Sequence, residues 1–360
     1  MSSSIMNSNL TKSYQDFWVW FQKKEKTFFL ALQEGKHIEQ AFFDKLSPKL
    51  DIVKEGFYFL AGMADDKTAE LVLTADGVIQ NIVFVEELVR AAPAIAGWKF
   101  TALKAASYMD EVNIKMAGYT FNVNNINFYS ADDTACPDEV NIIAVHDDLE
   151  VENTATISNG VGIFLDNYLG ELDFATEIDN VTVISPSDAQ QPLIPIGKLK
   201  DFLAWRKKEF TERYEGIRHN TEDDEYASFE AELADDKRLV AVMNTDLLAW
   251  DAKASHPWIL LVEIPYDGER TNGMPDEETY ELLNQIEESI LTELKDSEGY
   301  LNVGRQTADG VREIYFACND FRKPAKVLYQ IQADYSTQLA INYDIYKDKY
   351  WQSFARFASN

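Results

Sequence analysis

Cysteine is nearly absent from this sequence, with only Cys136 and Cys318 among 360 residues. Neither belongs to a CxxC pair, which excludes a disulfide framework and a zinc motif of the usual spacing. Long apolar runs are also missing, because none approaches the ~20 residues that a membrane-spanning helix needs. The first residues lack the basic start and apolar core of a signal peptide. The sequence therefore predicts a cytoplasmic protein without a membrane segment.

Positive charge is scarce as well. The chain has 33 Lys and Arg against 61 Asp and Glu, a formal net charge of −28. The acidity is general, since residues 1–215 hold 33 acids and 19 bases and residues 216–360 hold 28 acids and 14 bases, −14 each. Nucleic-acid phosphates must be neutralised by Lys and Arg, so this balance argues against a nucleic-acid partner. It leaves a basic protein partner as the expected one.

Catalytic and nucleotide-binding motifs are the third absence. The sequence has no G-x-S-x-G elbow, no phosphate-binding GxxxxGK[ST] loop and no dinucleotide-binding GxGxxG. Its four histidines, at positions 37, 146, 219 and 256, are scattered along the chain. No cofactor and no catalytic residue is predicted, and the expectation leans away from an enzyme.

The hydrophobic patterning predicts two α+β domains, 1–215 and 227–360, joined by an acidic linker at 216–226. From Pro257 onward the order of elements is β-α-β-β-α-β, which is the ferredoxin-like arrangement with an antiparallel sheet. Two extra strands are expected before this unit and one helix after it.

The first domain contains two β-α-β stretches, 69–103 and 139–185, with further strands between them. An ancient duplication is one explanation, although no residue-level repeat supports it. The domain ends in a long amphipathic helix over 196–216, one side of which is basic. Because the chain is so acidic, we expect this basic side either to face solvent or to dock on the protein's own acidic surface.

A set of motif residues in the C-terminal part of the chain resembles a known family. They are Asn272-Gly273-Met274-Pro275, Glu287, Gly304-Arg305, Gly310, Arg312-Glu313, Tyr315, Asp348, Tyr350 and Trp351. In this order they resemble the domain of unknown function 695 family, and residues 1–215 resemble an N-terminal region found beside that domain in some bacterial members. The family has a distant fold-level likeness to regulator of ribonuclease activity B, an acidic ferredoxin-like protein that inhibits a ribonuclease by binding it. The resemblance implies a binding role and supplies no catalytic residue.

The stretch from Phe164 to Asp179 packs five carboxylates among Leu and Phe. We interpret it as the solvated edge of a helix and its exit loop, with the acids from Glu171 onward in an extended segment. It lacks the D-x-D-x-D-G pattern of a calcium loop. The alternative is a metal-dependent hydrolase that uses Asp166, Glu171 and His146.

A second polar cluster combines two segments of the chain. Arg305, Arg312 and Glu313, with Tyr315 beside them, lie on an expected hairpin, and Asp348, Tyr350 and Trp351 lie on the last helix. One interpretation is structural: a hairpin arginine pairs with a helix carboxylate, and Trp351 caps the core. The other is a recognition surface, because Arg, Tyr and Trp often dominate protein interfaces. Taken together, the sequence predicts a cytoplasmic binding or regulatory protein that acts through protein–protein contacts, with Arg305, Arg312, Tyr315 and Trp351 as candidate anchors.

Overall fold

The chain folds into two compact units, Met1–Glu209 and Phe210–Asn360. Both units mix helices and strands, which confirms the predicted α+β class. Where sequence patterning places a linker, at 216–226, residues are hydrogen-bonded within the second unit. The computed structural model describes residues 2–131, 133–233 and 237–357.

The segment predicted to be a linker is fastened by two backbone contacts. The Thr221 amide donates to the Asp296 carboxylate at 3.0 Å, and the Glu225 amide donates to Asp246 at 3.0 Å. Asp296 also receives the Thr221 hydroxyl, and this set of donors lowers the pKa of Asp296. The backbone of this segment is therefore bound to carboxylates of the second unit.

The first unit begins with helices and then alternates strands and helices. Its helices are α1 (Ser2–Gln22), α2 (Glu25–Glu34), α3 (Asp44–Val53), α4 (Ile79–Arg90), α5 (Thr154–Leu169), α6 (Glu171–Glu177) and α7 (Leu199–Tyr214), the last of which continues into the second unit. Its strands are β1 (Tyr58–Asp65), β2 (Thr68–Thr74), β3 (Trp98–Ala102), β4 (Ile114–Met116), β5 (Tyr119–Phe121), β6 (Ile126–Ser130), β7 (Asn141–His146), β8 (Asn180–Ile184) and β9 (Ile194–Pro195).

Aromatic side chains hold the first three helices together. Phe21 of α1, Phe28 of α2 and Phe42 of a π-helical turn (Glu39–Phe43) are fully buried. The Phe21 and Phe28 ring centroids lie 5.5 Å apart, and those of Phe28 and Phe42 lie 4.5 Å apart. Such ring pairs add to the stabilisation from burial alone. The aromatic stripe of the N-terminal residues is core.

Two groups of strands in the first unit share one pattern of pairing. Strand β1 pairs antiparallel with β2, and β2 pairs parallel with β3 across α4. Strand β6 pairs antiparallel with β7, and β7 pairs parallel with β8 across α5 and α6. The two predicted β-α-β stretches are therefore confirmed, and each is preceded by an antiparallel strand. The groups form separate sheets, ordered β1-β2-β3 and β8-β7-β6-β9, with β4-β5 as a separate hairpin.

Part of the basic side of α7 docks on the first unit itself. The Arg206 guanidinium donates to the Pro137 and Glu139 carbonyls at 2.6 and 3.3 Å. Lys207 pairs with Glu177 at 2.7 Å, and Lys200 donates to the Ser107 carbonyl. Part of the basic side thus docks on the protein's own surface, with one contact to a carboxylate of another helix, while Lys198, Lys208 and Arg213 are exposed, so each of the two expectations holds in part.

The second unit is built on one six-stranded sheet. Its strands are β10 (Tyr226–Glu232), β11 (Arg238–Asn244), β12 (Trp258–Pro265), β13 (Tyr300–Ala308), β14 (Val311–Cys318) and β15 (Asn342–Lys347). Its helices are α8 (Thr245–Leu248), α9 (Glu277–Glu293) and α10 (Arg322–Asp334). The strand order is β10-β11-β13-β14-β12-β15, and every neighbouring pair is antiparallel. No helix in the described residues is both long and apolar enough to cross a membrane.

Each face of this sheet is covered by a different set of elements. On one face, Ile314 and Phe316 of β14 point toward α9, whose Ile286 and Ile290 are also fully buried. On the other face a core of buried side chains includes residues of α8 and of a C-terminal 3₁₀-helix, Gln352–Phe357. The expected final helix is thus a short 3₁₀-helix, which starts after Trp351 because that residue has a left-handed backbone, φ 54°.

Candidate functional site

The four candidate anchors of the second unit divide between the two faces of its sheet. Arg312 and Tyr315 lie three residues apart on β14, and side chains at odd spacing on a strand point to opposite faces. Arg312 points toward α9, together with Arg305 of β13, whereas Tyr315 joins Trp351 in the core on the other face. The structure therefore separates this cluster into two pairs.

On the α9 face, two arginines share one carboxylate. The Arg305 Nη1 donates to Oε1 of Glu287 at 2.9 Å, and the Arg312 Nη1 lies 3.6 Å from Oε2 of the same residue. Glu287 sits on α9 and is 6% exposed. A hairpin arginine thus pairs with a helix carboxylate, but the helix is α9 and not the last one. The carboxylate expected in this role, Asp348, instead accepts the amides of Gln352 and Ser353.

Arg312 is buried as deeply as the aromatic core, at 2% exposure. Its Nε donates to the Thr307 hydroxyl at 2.7 Å and its Nη1 to the Asn284 amide oxygen at 3.2 Å. The guanidinium carbon also lies 5.4 Å from the centre of the Tyr280 ring. Burial lowers the pKa of Arg312, and the charge of Glu287 opposes this shift. A buried cation needs such partners, because an unpaired charge in the core is strongly destabilising.

On the opposite face, Tyr315 is 4% exposed and its hydroxyl donates to the Glu313 carboxylate. Arg356 donates to the same hydroxyl at 3.0 Å. Burial raises the pKa of Tyr315, and Glu313 raises it further. Trp351 is 2% exposed, and its indole Nε1 donates to the His256 carbonyl at 3.0 Å. Both residues fasten the C-terminal 3₁₀-helix to the sheet.

Accessibility decides which of these residues could contact a partner. Arg312, Tyr315 and Trp351 are inside the protein, and only the Arg305 side chain, at 33% exposure, reaches solvent. Anchor residues must be available in the free protein unless the interface rearranges. Of the four candidate anchors, Arg305 is consequently the one that could contact a partner directly.

The glycine-containing motif residues join a loop to the hairpin turn. Asp309 and Gly310 form the two-residue turn between β13 and β14 with φ of 47° and 75°, values that a type I′ turn requires. The Gly310 amide donates to the Gly273 carbonyl at 2.8 Å, and the Tyr266 hydroxyl donates to the same carbonyl at 2.8 Å. A Cβ on Gly273 would lie 3.0 Å from the Asp309 backbone. These motif residues serve close backbone packing.

In the first unit, Asp166 of the acidic stretch pairs with a lysine from outside that stretch. The Lys104 Nζ lies 2.6 Å from Asp166 Oδ2 and 3.6 Å from Asp76 Oδ1. Burial raises the pKa of Asp166, and Lys104 opposes that shift. Although burial acts to lower it, the contact with Asp166 raises the pKa of Lys104. Lys104 therefore occupies the position beside Asp166 that a metal ion would need.

Glu171 corrects two expectations for this stretch. Residues 171–177 form α6 rather than an extended exit loop, and Glu171 is 1% exposed rather than solvated. Its carboxylate accepts the Thr74 hydroxyl at 2.5 Å and the amides of Ala75, Gly77 and Lys104 at 3.0 to 3.1 Å. The alternation of acids with Leu and Phe did not distinguish a strand from a short helix, because seven residues contain only two helical turns.

His146 has its own set of partners. The Asp148 amide donates to its Nδ1 at 3.1 Å, while its Nε2 lies 3.2 Å from the Thr120 carbonyl and 3.3 Å from the Asn125 amide nitrogen. None of these partners bonds to Asp166 or Glu171. Across residues 2–131, 133–233 and 237–357, no group of three His, Cys, Asp or Glu side chains is arranged to hold a metal ion.

Lys104 was not singled out from the sequence, although a signal exists. Between residues 100 and 197 the chain has 16 acids and only two bases, Lys104 and Lys115. A cation that is rare in so acidic a segment is expected to lie among several carboxylates. Asn284 and Thr307, which hold Arg312, carry no comparable signal.

A known family model matches most of the second unit. Residues 228–358 match the model of the Family of unknown function (DUF695), which confirms the resemblance drawn from the motif residues of this part of the chain. The chain matches no curated protein and no solved structure. The family description names no activity, so the function has to be inferred from the geometry and charge of this chain.

Proposed function

We propose that this is a regulatory binding protein whose acidic exterior docks a basic protein partner. The observation that carries the proposal is the charge distribution. Residues 1–209 hold 31 acids and 18 bases, a net charge of −13, and residues 210–360 hold 30 acids and 15 bases, a net charge of −15. A field of one sign over both units favours encounter with a surface of the opposite sign.

Internal contacts of several cations reduce the positive charge that the surface presents. Arg312 and Lys104 are mostly buried against carboxylates, and Arg206 is turned toward backbone carbonyls. These bases compensate acids or carbonyls within the fold, so they are not available to a partner. The exposed residues that remain to make electrostatic contacts are chiefly Asp and Glu.

The proposal also includes a ferredoxin-like fold for the second unit and a cytoplasmic location for the protein. Within the second unit, the strand order β15-β12-β14-β13 and the connections through α9 and α10 support a ferredoxin-like arrangement. Cys136 and Cys318 are buried and are not in a disulfide, which supports a reducing compartment such as the cytoplasm. A ferredoxin-like acidic protein fits the binding role that the distant likeness to regulator of ribonuclease activity B implies.

The hydrolase alternative gains no support from the geometry. A mechanism that used Glu171 would first have to break its four hydrogen bonds, three of them to backbone amides. It would also have to displace Lys104 from Asp166. No other observation favours this reaction class.

The binding proposal is tested by capture from the cytosol of the source cells on the immobilised full chain. Beads that carry an unrelated acidic protein of similar net charge serve as the control for unspecific attraction. We expect a basic protein that is retained at low salt, released at high salt and missing from the control beads. A specific partner with an acidic or neutral contact surface would contradict the proposal.

A further inference from the structure

The N-terminal helices lack the acid surplus of the chain as a whole. Residues 1–56 hold eight lysines and seven acids, a net charge of +1, whereas residues 57–360 hold 25 bases and 54 acids, a net charge of −29. An anion is therefore repelled less at α1, α2 and α3 than the net charge of the whole chain suggests. An anion site in this region would be independent of the proposed partner surface.

A cleft opens between α1 and α3 in this region. Its volume is ≈ 350 Å³, which falls within the range of roughly 300–1,000 Å³ that is common for small-molecule sites. Helix α1 supplies one wall and α3 the other, and the buried side chains of Phe17 and Val53 lie at its base. The lining residues are Lys12, Ser13, Asp16, Phe17, Trp20, Lys49, Ile52 and Val53.

The cleft combines apolar surface with two ammonium groups. The Lys49 Nζ lies 5.9 Å from the centre of the Trp20 ring, and Lys12 is exposed on the opposite wall. Ile52 is 71% exposed at the same place, which is unusual for so large an apolar side chain. Asp16 is the only acid among the lining residues, so the cleft has a net charge of +1.

We propose that this cleft binds a small organic carboxylate with an apolar body, such as a medium-chain acid. The carboxylate would lie between the Lys12 and Lys49 ammonium groups, and the apolar body would contact Trp20, Phe17 and Ile52. Charge complementarity selects the anion, because two lysines outnumber one aspartate. The apolar base selects against small inorganic anions, which gain nothing from burying hydrocarbon surface.

The site is tested by calorimetric titration of the full chain with three ligands of equal chain length: octanoate, octylammonium and octanol. We expect octanoate to bind at one site, octylammonium not to bind, and octanol to bind more weakly than octanoate. The methyl resonance of Ile52 in isotope-labelled protein reports the location and should shift only with bound ligand. Equal binding of octylammonium, or octanoate binding without a shift of Ile52, would overturn the proposal.

Matched lysine variants separate the two ammonium groups from general charge. Lys49→Met and Lys12→Met should each weaken octanoate binding by about fivefold, a usual loss for one partly exposed ion pair. Lys45→Met removes an exposed lysine of α3 that does not line the cleft, and it should leave the affinity unchanged. Equal losses of octanoate affinity in all three variants would show that the affinity depends only on the net charge of the protein. That result would contradict a site between α1 and α3.

Discussion

Glu171 is a buried carboxylate held by one hydroxyl and three backbone amides. In Glu171→Gln an amide NH₂ would face these donors, so at least one of them would lose its acceptor. We expect the free energy of unfolding to fall by about 3 kcal/mol, because bonds to a charged acceptor are strong and orphaned buried donors are costly. Urea titration with Asp173→Asn as control, an exposed acid of the same helix, measures the effect. Similar stability of the two variants would contradict the role assigned to Glu171.

His256 is a fully buried histidine that stays neutral. Its Nδ1 lies 2.8 Å from the Ser255 hydroxyl, which itself bonds to the Ala252 carbonyl, and its Nε2 has no hydrogen-bond partner among the described residues. Burial, with a smaller contribution from the neighbouring Arg218 and His219, lowers the pKa of His256 to about 4. Protonation in the folded state would place a charge in the core without a counter-ion.

A depressed pKa makes stability depend on pH. Above pH 6.5 His256 is neutral in both states, and below that value the unfolded chain binds the proton first. Its stabilising contribution should therefore be complete above pH 6.5 and be lost as the pH falls to about 4, a loss of about 3 kcal/mol. Urea unfolding between these pH values, compared with His256→Gln, isolates this residue. Parallel curves for the two proteins would show that His256 does not supply the dependence.

The candidate cluster shows which contacts of individual residues can be predicted from the sequence and which cannot. The residue types indicate that an arginine of the hairpin pairs with a carboxylate of the last helix, Asp348, but Arg305 contacts Glu287 of α9 instead. The faces of Arg305 and Tyr315 did not follow, because the register shifts between Asn302 and Gly304 and inverts the alternation on β13. Gly304 allows this irregularity, since a Cβ there would lie 2.4 Å from the Val242 carbonyl oxygen.

At the scale of elements, Glu287 joins α9 to the β13–β14 hairpin through both arginines. Glu287→Gln should lower the free energy of unfolding by about 3–5 kcal/mol, because it leaves the buried Arg312 without its counter-ion. Arg305→Gln should cost about 1 kcal/mol or less, since that side chain is a third exposed. Thermal or urea unfolding of the two variants compares them directly. A larger loss of unfolding free energy for Arg305→Gln than for Glu287→Gln would contradict the assignment of Glu287 and Arg312 as the central ion pair.

Elements with strong local signals were predictable, and those defined by distant contacts were not. The hairpin across Asp309-Gly310 and the helix from Glu277 follow from turn and capping residues, and Asp276 does cap α9 through the Thr279 amide. Helix α6 was assigned to a loop because its burial depends on Glu171 reaching the loop after β2, 94 to 97 residues away. Such a distant contact produces no recognisable hydrophobic periodicity within a segment of seven residues.

At the scale of the whole molecule, the acidity and the α+β class could be predicted from the sequence. The groups that the Lys and Arg side chains contact could not. The surplus of acids is a matter of counting, whereas the inward orientation of Arg312, Arg206 and Lys104 follows from packing. The repeated pattern of an antiparallel strand before each parallel β-α-β stretch became visible only through strand pairing. It supports an ancient duplication on topology, without any repeat of residues.

The salt dependence of association with the captured partner tests the central claim most directly. Stopped-flow measurements with purified partner should show the association rate constant falling by about tenfold or more as salt rises from about 0.05 M to about 0.5 M, with a smaller change in dissociation. Arg305→Gln should associate at the same rate as the parent chain. An association rate that does not change with salt, or a folded Arg305→Gln variant that no longer binds, would contradict docking through the acidic exterior.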